Sequence, residues 1–366
     1  MSTQSGFLEA ARAAGETAAR RAAAADADRR LHPEVAEALV EAGFTRRFVP
    51  ESLGGEPVSY AAVTTAVASV GEGCASAAWI ASLLAHTGRF ATYLPENGQA
   101  EVWEKGPDTR LVTAVVPQGS AEPVDGGWRV SGTWSYVSGV DFADWALVLG
   151  PGPGQDGTGS RFFAVRRSDF TVLDTWHTLG MRGTGSHSIT LDGVFVPEQR
   201  SFPREDLFSG DAGPHVPALN AVPLFSVNGL TFGAPVLGAA RGALALAAER
   251  LGAGNRPAKE STRTAFARAA AEADAAGLLL ERIARTADEG RTTPDLVARS
   301  RRDSAYAAQA LADAVDLVFH GNGVRGQDRS DPLQRYWRDV QGAVTHGVLQ
   351  FEPAALEYTA SLVRTD

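Results

Sequence analysis

Two histidines stand out as candidate acid/base groups: His86 and His346. His346 lies in "LQRYWRDVQGAVTHGVLQ". Read as one helix, this stretch returns Asp339 and His346, seven residues apart, to nearly the same face, with Arg335 and Gly342 on the same stripe. His86 lies in "WIASLLAHTGRFATYLP", where Trp79, also seven residues away, and Phe90 extend its face. An aromatic helix face bearing one histidine suits a pocket wall, although a hydrogen-bonded core histidine accounts for either residue equally well. Ser138 interrupts a strand pattern in "WSYVSGVDFADWALVLG", beside Gly139 and two of the seven Trp, Trp134 and Trp145. A further polar loop, "TWHTLGMRGTGSHSITLDGVFVP", carries Gly180, Gly183 and Gly185 with the donors Arg182, Thr184 and Ser186.

Other chemistries find no support. Neither a His-x-x-x-His pair nor His-Glu-x-x-His occurs among the seven His, so no metal site is expected. The chain has no G-x-S-x-G elbow of a serine hydrolase. Gly152, Gly154 and Gly157 match a dinucleotide fingerprint, but a strand follows in place of a helix, so a hairpin loop is expected. Gly321, Gly323 and Gly326 match it again, after a helix. Two readings stay open there: a helix-to-helix connection, or a backbone cradle for phosphate with Arg325 beside it.

The elements that must position these groups change character twice along 366 residues, a length that suggests two or three domains. Residues 1–107 are Ala-rich with helical periods. His32-Pro33 opens a short helix, and residues 58–92 read as two helices separated at Gly71 and Gly73. Residues 108–215 read as short β-branched and aromatic strands divided by Gly, Pro and Asp, with Asp125-Gly126 a hairpin signal. No long helix separates them, which favours an antiparallel sandwich or barrel. Residues 216–366 return to long helical periods over 226–252, 261–288, 294–320 and 332–362, with starts at Ser261 and Thr293-Pro294, as in an antiparallel four-helix bundle. The expected class is thus α+β: N-terminal helical domain, central β domain, C-terminal bundle.

Net charge is −9, which argues against a nucleic-acid partner. The one cysteine, Cys74, excludes a disulfide framework and reads as a small buried hydrophobe. The N-terminus lacks the apolar core of a signal peptide, and "AAWIASLLA" is too short to span a bilayer, so no membrane partner and a cytoplasmic location are expected.

The helix–β–helix order resembles the acyl-CoA dehydrogenase fold over nearly the whole chain. "LGMRGTGSHSITLDGVFVP" is similar to that fold's glycine turn, and "HGNGVRGQDRSDPLQRYWRD" to its C-terminal Gly-rich segment and Arg-Asp pair. The family's catalytic glutamate has no counterpart, either after Arg338-Asp339, where "VQGAVTHGV" stands, or in "APVLGAARGALALA". The chain looks instead like the two-component flavin-dependent monooxygenases, a branch that includes p-hydroxyphenylacetate hydroxylases, dibenzothiophene monooxygenases and nitrososynthases. Its patterns match Trp134–Gly139, Trp176–Ser186 and Arg338–His346.

The resemblance implies oxygenation of a small organic, aromatic or secondary-metabolite substrate through a C4a-(hydro)peroxyflavin. It implies reduced FMN or FAD and O2, a separate NAD(P)H:flavin reductase and a homotetramer. Amine or amino-sugar N-oxygenation and flavin-linked dehydrogenation are its alternatives. His346, His86 and Ser138 map to catalysis. Ser138, Trp134, Trp176, Thr184, Ser186, Arg256, Gly321, Gly323 and Arg338 map to the flavin, with the Gly-rich segment coming from a neighbouring subunit. Trp79, His86, Phe90 and His346 map to the substrate pocket.

Overall fold

A computed structural model describes residues 3–152, 159–252 and 258–363. The N-terminal region holds α1 (Thr3–Asp28), α2 (Pro33–Glu41), α3 (Tyr60–Gly71), α4 (Ala75–Ala91) and α5 (Glu96–Val102). In α1 the alanines 11, 14, 18, 22 and 25 recur every three or four residues and are all buried. That stripe lets two backbones approach closely, and a Cβ on Gly15 would sit 3.0 Å from the Ser69 carbonyl of α3. His32 caps α2, its ring accepting the Glu34 N–H, with Pro33 at the first position. Asp288, at the end of a bundle helix, accepts the Tyr60 and Ala61 N–H groups at 2.6 and 3.1 Å, so a side chain from the far end of the sequence caps α3.

The central region contains β1 (Leu111–Ala114), β2 (Ser120–Val124), β3 (Gly127–Val137), β4 (Trp145–Pro151), β5 (Ser160–Arg166), β6 (Thr171–Leu173), β7 (His187–Pro197) and β8 (Ser201–Pro203). Among the described residues they form two four-stranded sheets, ordered β1-β4-β5-β8 and β2-β3-β7-β6. Pairing is antiparallel except for β1 with β4, a parallel exception to the expected pattern. Asp125-Gly126 does link β2 to β3, with Gly126 at φ +76°. Gly152 precedes the β4–β5 connection as expected of a hairpin, while Gly154 and Gly157 lie outside the described residues.

After α6 (Arg204–Ser209), the bundle comprises α7 (Leu224–Gly252), α8 (Glu260–Asp288), α9 (Pro294–Gly321), α10 (Pro332–Ala343) and α11 (Phe351–Leu362). α7 is long and apolar enough to cross a membrane, but most of that span is buried against α3, α4, α8 and α9, as a core helix requires. The expected single helix over 332–362 is two. Val344 and Thr345 are β-branched, the Thr345 hydroxyl takes the Gly342 carbonyl at 2.7 Å, and His346 caps a new turn. Asp339 and His346 therefore do not share a helix face.

Candidate active site

The site forms where β3 and β7 end together. Their antiparallel register pairs Val137 with His187, which sets Ser138, just past one strand, against Ser186, just before the other. Gly139 follows at φ +76° and Gly185 lies at φ +52°, backbone conformations that an L side chain resists. The Gly139 N–H donates to the Thr184 carbonyl at 2.9 Å, fastening the two turns.

Four polar side chains run in series here. Trp79 of α4 donates its indole N–H to Ser138 Oγ at 3.2 Å. Ser138 Oγ lies 2.7 Å from Ser186 Oγ, which lies 2.7 Å from Thr184 Oγ1. Thr184 Oγ1 lies 2.8 Å from the Met181 carbonyl. A carbonyl only accepts, so Thr184 must donate to Met181. A hydroxyl has one proton, so Ser186 must donate to Thr184, and Ser138 to Ser186. The row thus has a fixed direction. Ser138, having accepted from Trp79 and donated to Ser186, presents one remaining lone pair and no proton.

The loop carrying Thr184 and Ser186 is held from behind by α10. Met181 adopts φ +54°, and its N–H donates to the buried Asp339 carboxylate at 2.6 Å. Gly180 lies so close to α10 that a Cβ would collide with the Arg338 carbonyl. Burial pushes the Asp339 carboxyl up to about 6, against the lowering effect of that N–H.

His346 stacks on Phe232 of α7 at 3.8 Å between ring centroids and meets the Trp79 edge at 5.7 Å. Its Nδ1 accepts the Val348 N–H at 3.3 Å, so the proton of the neutral ring is on Nε2. Burial lowers its pKa to about 4. At neutral pH the ring is a hydrogen-bond donor. His86 lies two turns beyond Trp79, stacked on Phe48 and Tyr60 at 5.3 and 6.2 Å. Burial, helped by the Arg89 charge, lowers its pKa to about 3, and its ring makes no hydrogen bond among the described residues.

The remaining expected site residues divide. Trp176 lies at the rim, donating to the Met181 carbonyl at 3.0 Å with its ring against Tyr136. Trp134 does not face the site: its indole is wholly enclosed between the sheets and donates to the Leu149 carbonyl at 2.8 Å. Phe90 packs on Phe162 in a separate core beneath the sheet. Arg338 is committed to Asp26 at 2.9 and 3.1 Å and to the Leu179 carbonyl, tying α10 to α1, so it holds the fold rather than a phosphate. Gly321 ends α9 and Gly323 opens a short 3-10 turn at φ +61°; neither touches the hydroxyl row. Arg256 lies outside the described residues. The sequence did not single out Phe232, the Met181 carbonyl or the Trp79–Ser138 bond.

Residues 2–105 match the acyl-CoA dehydrogenase N-terminal domain and residues 230–351 its C-terminal domain. The chain is 32% identical over 351 residues to the flavin-dependent monooxygenase oxygenase subunit HsaA of Mycobacterium tuberculosis (strain CDC 1551 / Oshkosh), covering 89% of this chain and 87% of that one. It is 32% identical over 348 residues to the oxygenase component of the FADH(2)-dependent resorcinol hydroxylase of Rhizobium sp. (strain MTP-10005), covering 87% and 84%. The structure of XiaF from Streptomyces sp. in complex with FADH2 and glycerol superposes with a TM-score of 0.92 at 26% identity, covering 99% and 96%. The chain belongs to the acyl-CoA dehydrogenase superfamily, within its branch of two-component flavin-dependent monooxygenases.

Proposed function

We propose that this protein is the oxygenase component that takes reduced flavin from a separate reductase and hydroxylates an aromatic substrate. The observation that carries the reading is the direction of the hydroxyl row. Reduced flavin carries an N–H at N5, and Ser138 offers it a lone pair with no competing proton. The donor set therefore fits the reduced ring. Trp79, Phe232 and His346 supply an apolar wall that excludes water, with Ile80 standing against Gly139 and Asp141 against Gly185.

Bound there, reduced flavin supplies activation of O2 and transfer of one oxygen atom. The chain's own work is to hold the N5 proton at Ser138, keep that place dry and orient the substrate. His346, neutral with Nε2–H, donates a hydrogen bond to an oxygen near the wall; His86 presents free ring nitrogens further along α4. Thr184 and Ser186 act through Ser138. Flavin-linked dehydrogenation would require a carboxylate base to take the substrate's proton, and the rings that meet Trp79 beside the row, Phe232 and His346, carry none. Assembly into a homotetramer, with the Gly-rich turn after α9 meeting the flavin of a neighbouring subunit, belongs to the same proposal.

The test is isotopic. With a flavin reductase, NADH, 18O2 and resorcinol or p-hydroxyphenylacetate, the hydroxylated product carries one 18O atom. Product lacking 18O, or oxidised substrate without added oxygen, would overturn the proposal.

A further inference from the structure

A second space reaches Ser138, between α2, α4 and β1. Ile80, Leu83 and Leu84 of α4 line it, with Leu111 and Val112 of β1 and the half-buried Phe142. Trp79, Phe232 and His346 do not line it, and it meets the site described above at Ser138 and Gly139. The buried Gly139 marks its inner end, where a Cβ would come within 3.1 Å of Ile80 Cδ1. Arg110 marks its solvent end, giving Nη2 to both oxygens of the exposed Glu37 at 2.7 and 2.8 Å.

The space is small and dry. It has about 10 Å3 of room for a water-sized sphere, enough for one small molecule, and its surface is almost wholly apolar. A buried water needs about two to four polar partners. Ser138 has a single lone pair left, and the Arg110 Nη2 is held by Glu37, so a water at the inner end would find one partner. Apolar cavities of this kind stay empty of water yet take up apolar small molecules. O2 is such a molecule, uncharged and without a dipole. Ser138 is also where the N5 proton of reduced flavin is held, and the flavin carbon that reacts with O2 is bonded to N5.

We infer that this crevice binds O2 and delivers it to the flavin edge beside Ser138. The inference rests on the oxygenase reading above. The two reactants then have separate approaches. The organic substrate lies along the wall of Trp79, Phe232 and His346, and O2 comes through the seam between α4 and β1 at Gly139. Water and charged solutes gain nothing there, so the oxidant is admitted without wetting the N5 proton.

Two measurements test it. Dissolved O2 is paramagnetic and speeds the relaxation of methyl protons that it visits. In the flavin-free full chain with labelled Ile, Leu and Val methyl groups, O2 is expected to relax Ile80, Leu83, Leu84 and Val112 severalfold more than Leu147 and Leu149, which are wholly buried in the packed core. For the second measurement, Leu84→Phe fills the space and Leu84→Ala widens it. Each variant is premixed anaerobically with reduced FAD or FMN and then mixed with O2 at several concentrations. Leu84→Phe should lower the second-order rate constant about 5- to 100-fold, the cost of reopening a filled core space. Leu84→Ala should leave it unchanged or raise it. Anaerobic calorimetry should give both variants the wild-type affinity for reduced flavin. A purely structural effect would slow both, since underpacking and overpacking each destabilise a core. The inference is overturned if the crevice methyl groups relax no faster than Leu147 and Leu149, if Leu84→Phe keeps the wild-type rate constant, or if the two variants slow alike. Those three results leave the oxygenase reading standing. Failure of wild type to bind reduced flavin would remove that reading and this inference with it.

Discussion

Ser186→Ala tests the directed hydroxyl row at a residue that need not touch flavin. Ser186 is buried and joins Ser138 to Thr184 through two 2.7 Å contacts. Without it, the Ser138 proton has no acceptor inside the protein and turns toward the flavin, where it opposes the N5 proton. The loss is one oriented hydrogen bond, about 0.5–1.5 kcal/mol net. At 1.36 kcal/mol per tenfold in rate, the transient flavin absorbance that follows mixing with O2 should decay about 2- to 13-fold faster. More H2O2 should be released per substrate hydroxylated. Thr184→Val also removes the acceptor that orients Ser186 and should behave alike, while Thr184→Ser keeps the hydroxyl and should match wild type. Stopped-flow absorbance gives the decay, and a peroxidase-coupled assay gives the H2O2. If Ser186→Ala and Thr184→Val decay at the wild-type rate while Ser138→Ala decays faster, the hydroxyl matters but its orientation does not, and the reasoning fails.

Three further outcomes follow from His346 and Asp339, the two titratable groups around the row. The folded pKa of His346 is about 4, below the ordinary 6.5, so the unfolded chain binds the extra proton between those values. Its stabilising contribution is complete above pH 6.5 and is lost as pH falls toward 4, by about 3 kcal/mol at most. Urea unfolding at pH 7 and pH 4.5 should therefore show a smaller loss for His346→Asn than for wild type. Asp339→Ala leaves the Met181 N–H buried without an acceptor, at a cost of about 1–3 kcal/mol; it should lower Tm and shorten the flavin transient together, with Asn much milder. Asp339 is raised to about 6, so its protonated form favours folding below pH 4, and that contribution fades as pH rises through 6. Asp339→Asn should remove this slope from a plot of Tm against pH.

The helical periods located α7, α8 and α9 to within two residues at either end, because each buries a continuous stripe. The 332–362 period failed because an apolar stripe continued through a turn that Gly342, Thr345 and Gly347 break locally. Ser138, Thr184, Ser186 and His346 were each visible as odd polar residues at element ends. That three of them form one row depends on the β3–β7 register across 48 residues, which no local pattern carries. Trp134 was misplaced although its strand held the correction: Trp128, Val130 and Trp134 lie an even number of residues apart and are all buried between the sheets. His86 and Trp79 do share a face of α4, but two turns of helix separate their surroundings.

Reduced flavin held with its N5 proton at Ser138 in a dry site should react with O2 differently from free flavin. Anaerobic reduced FAD or FMN is premixed with the protein and then mixed with O2 in a stopped-flow instrument without substrate. A species spectrally distinct from both reduced and oxidised flavin, persisting for seconds in wild type and shortened in Ser138→Ala, is the predicted result. Direct conversion of reduced to oxidised flavin in one phase, at the rate of free flavin and unaffected by Ser138→Ala, would contradict the account.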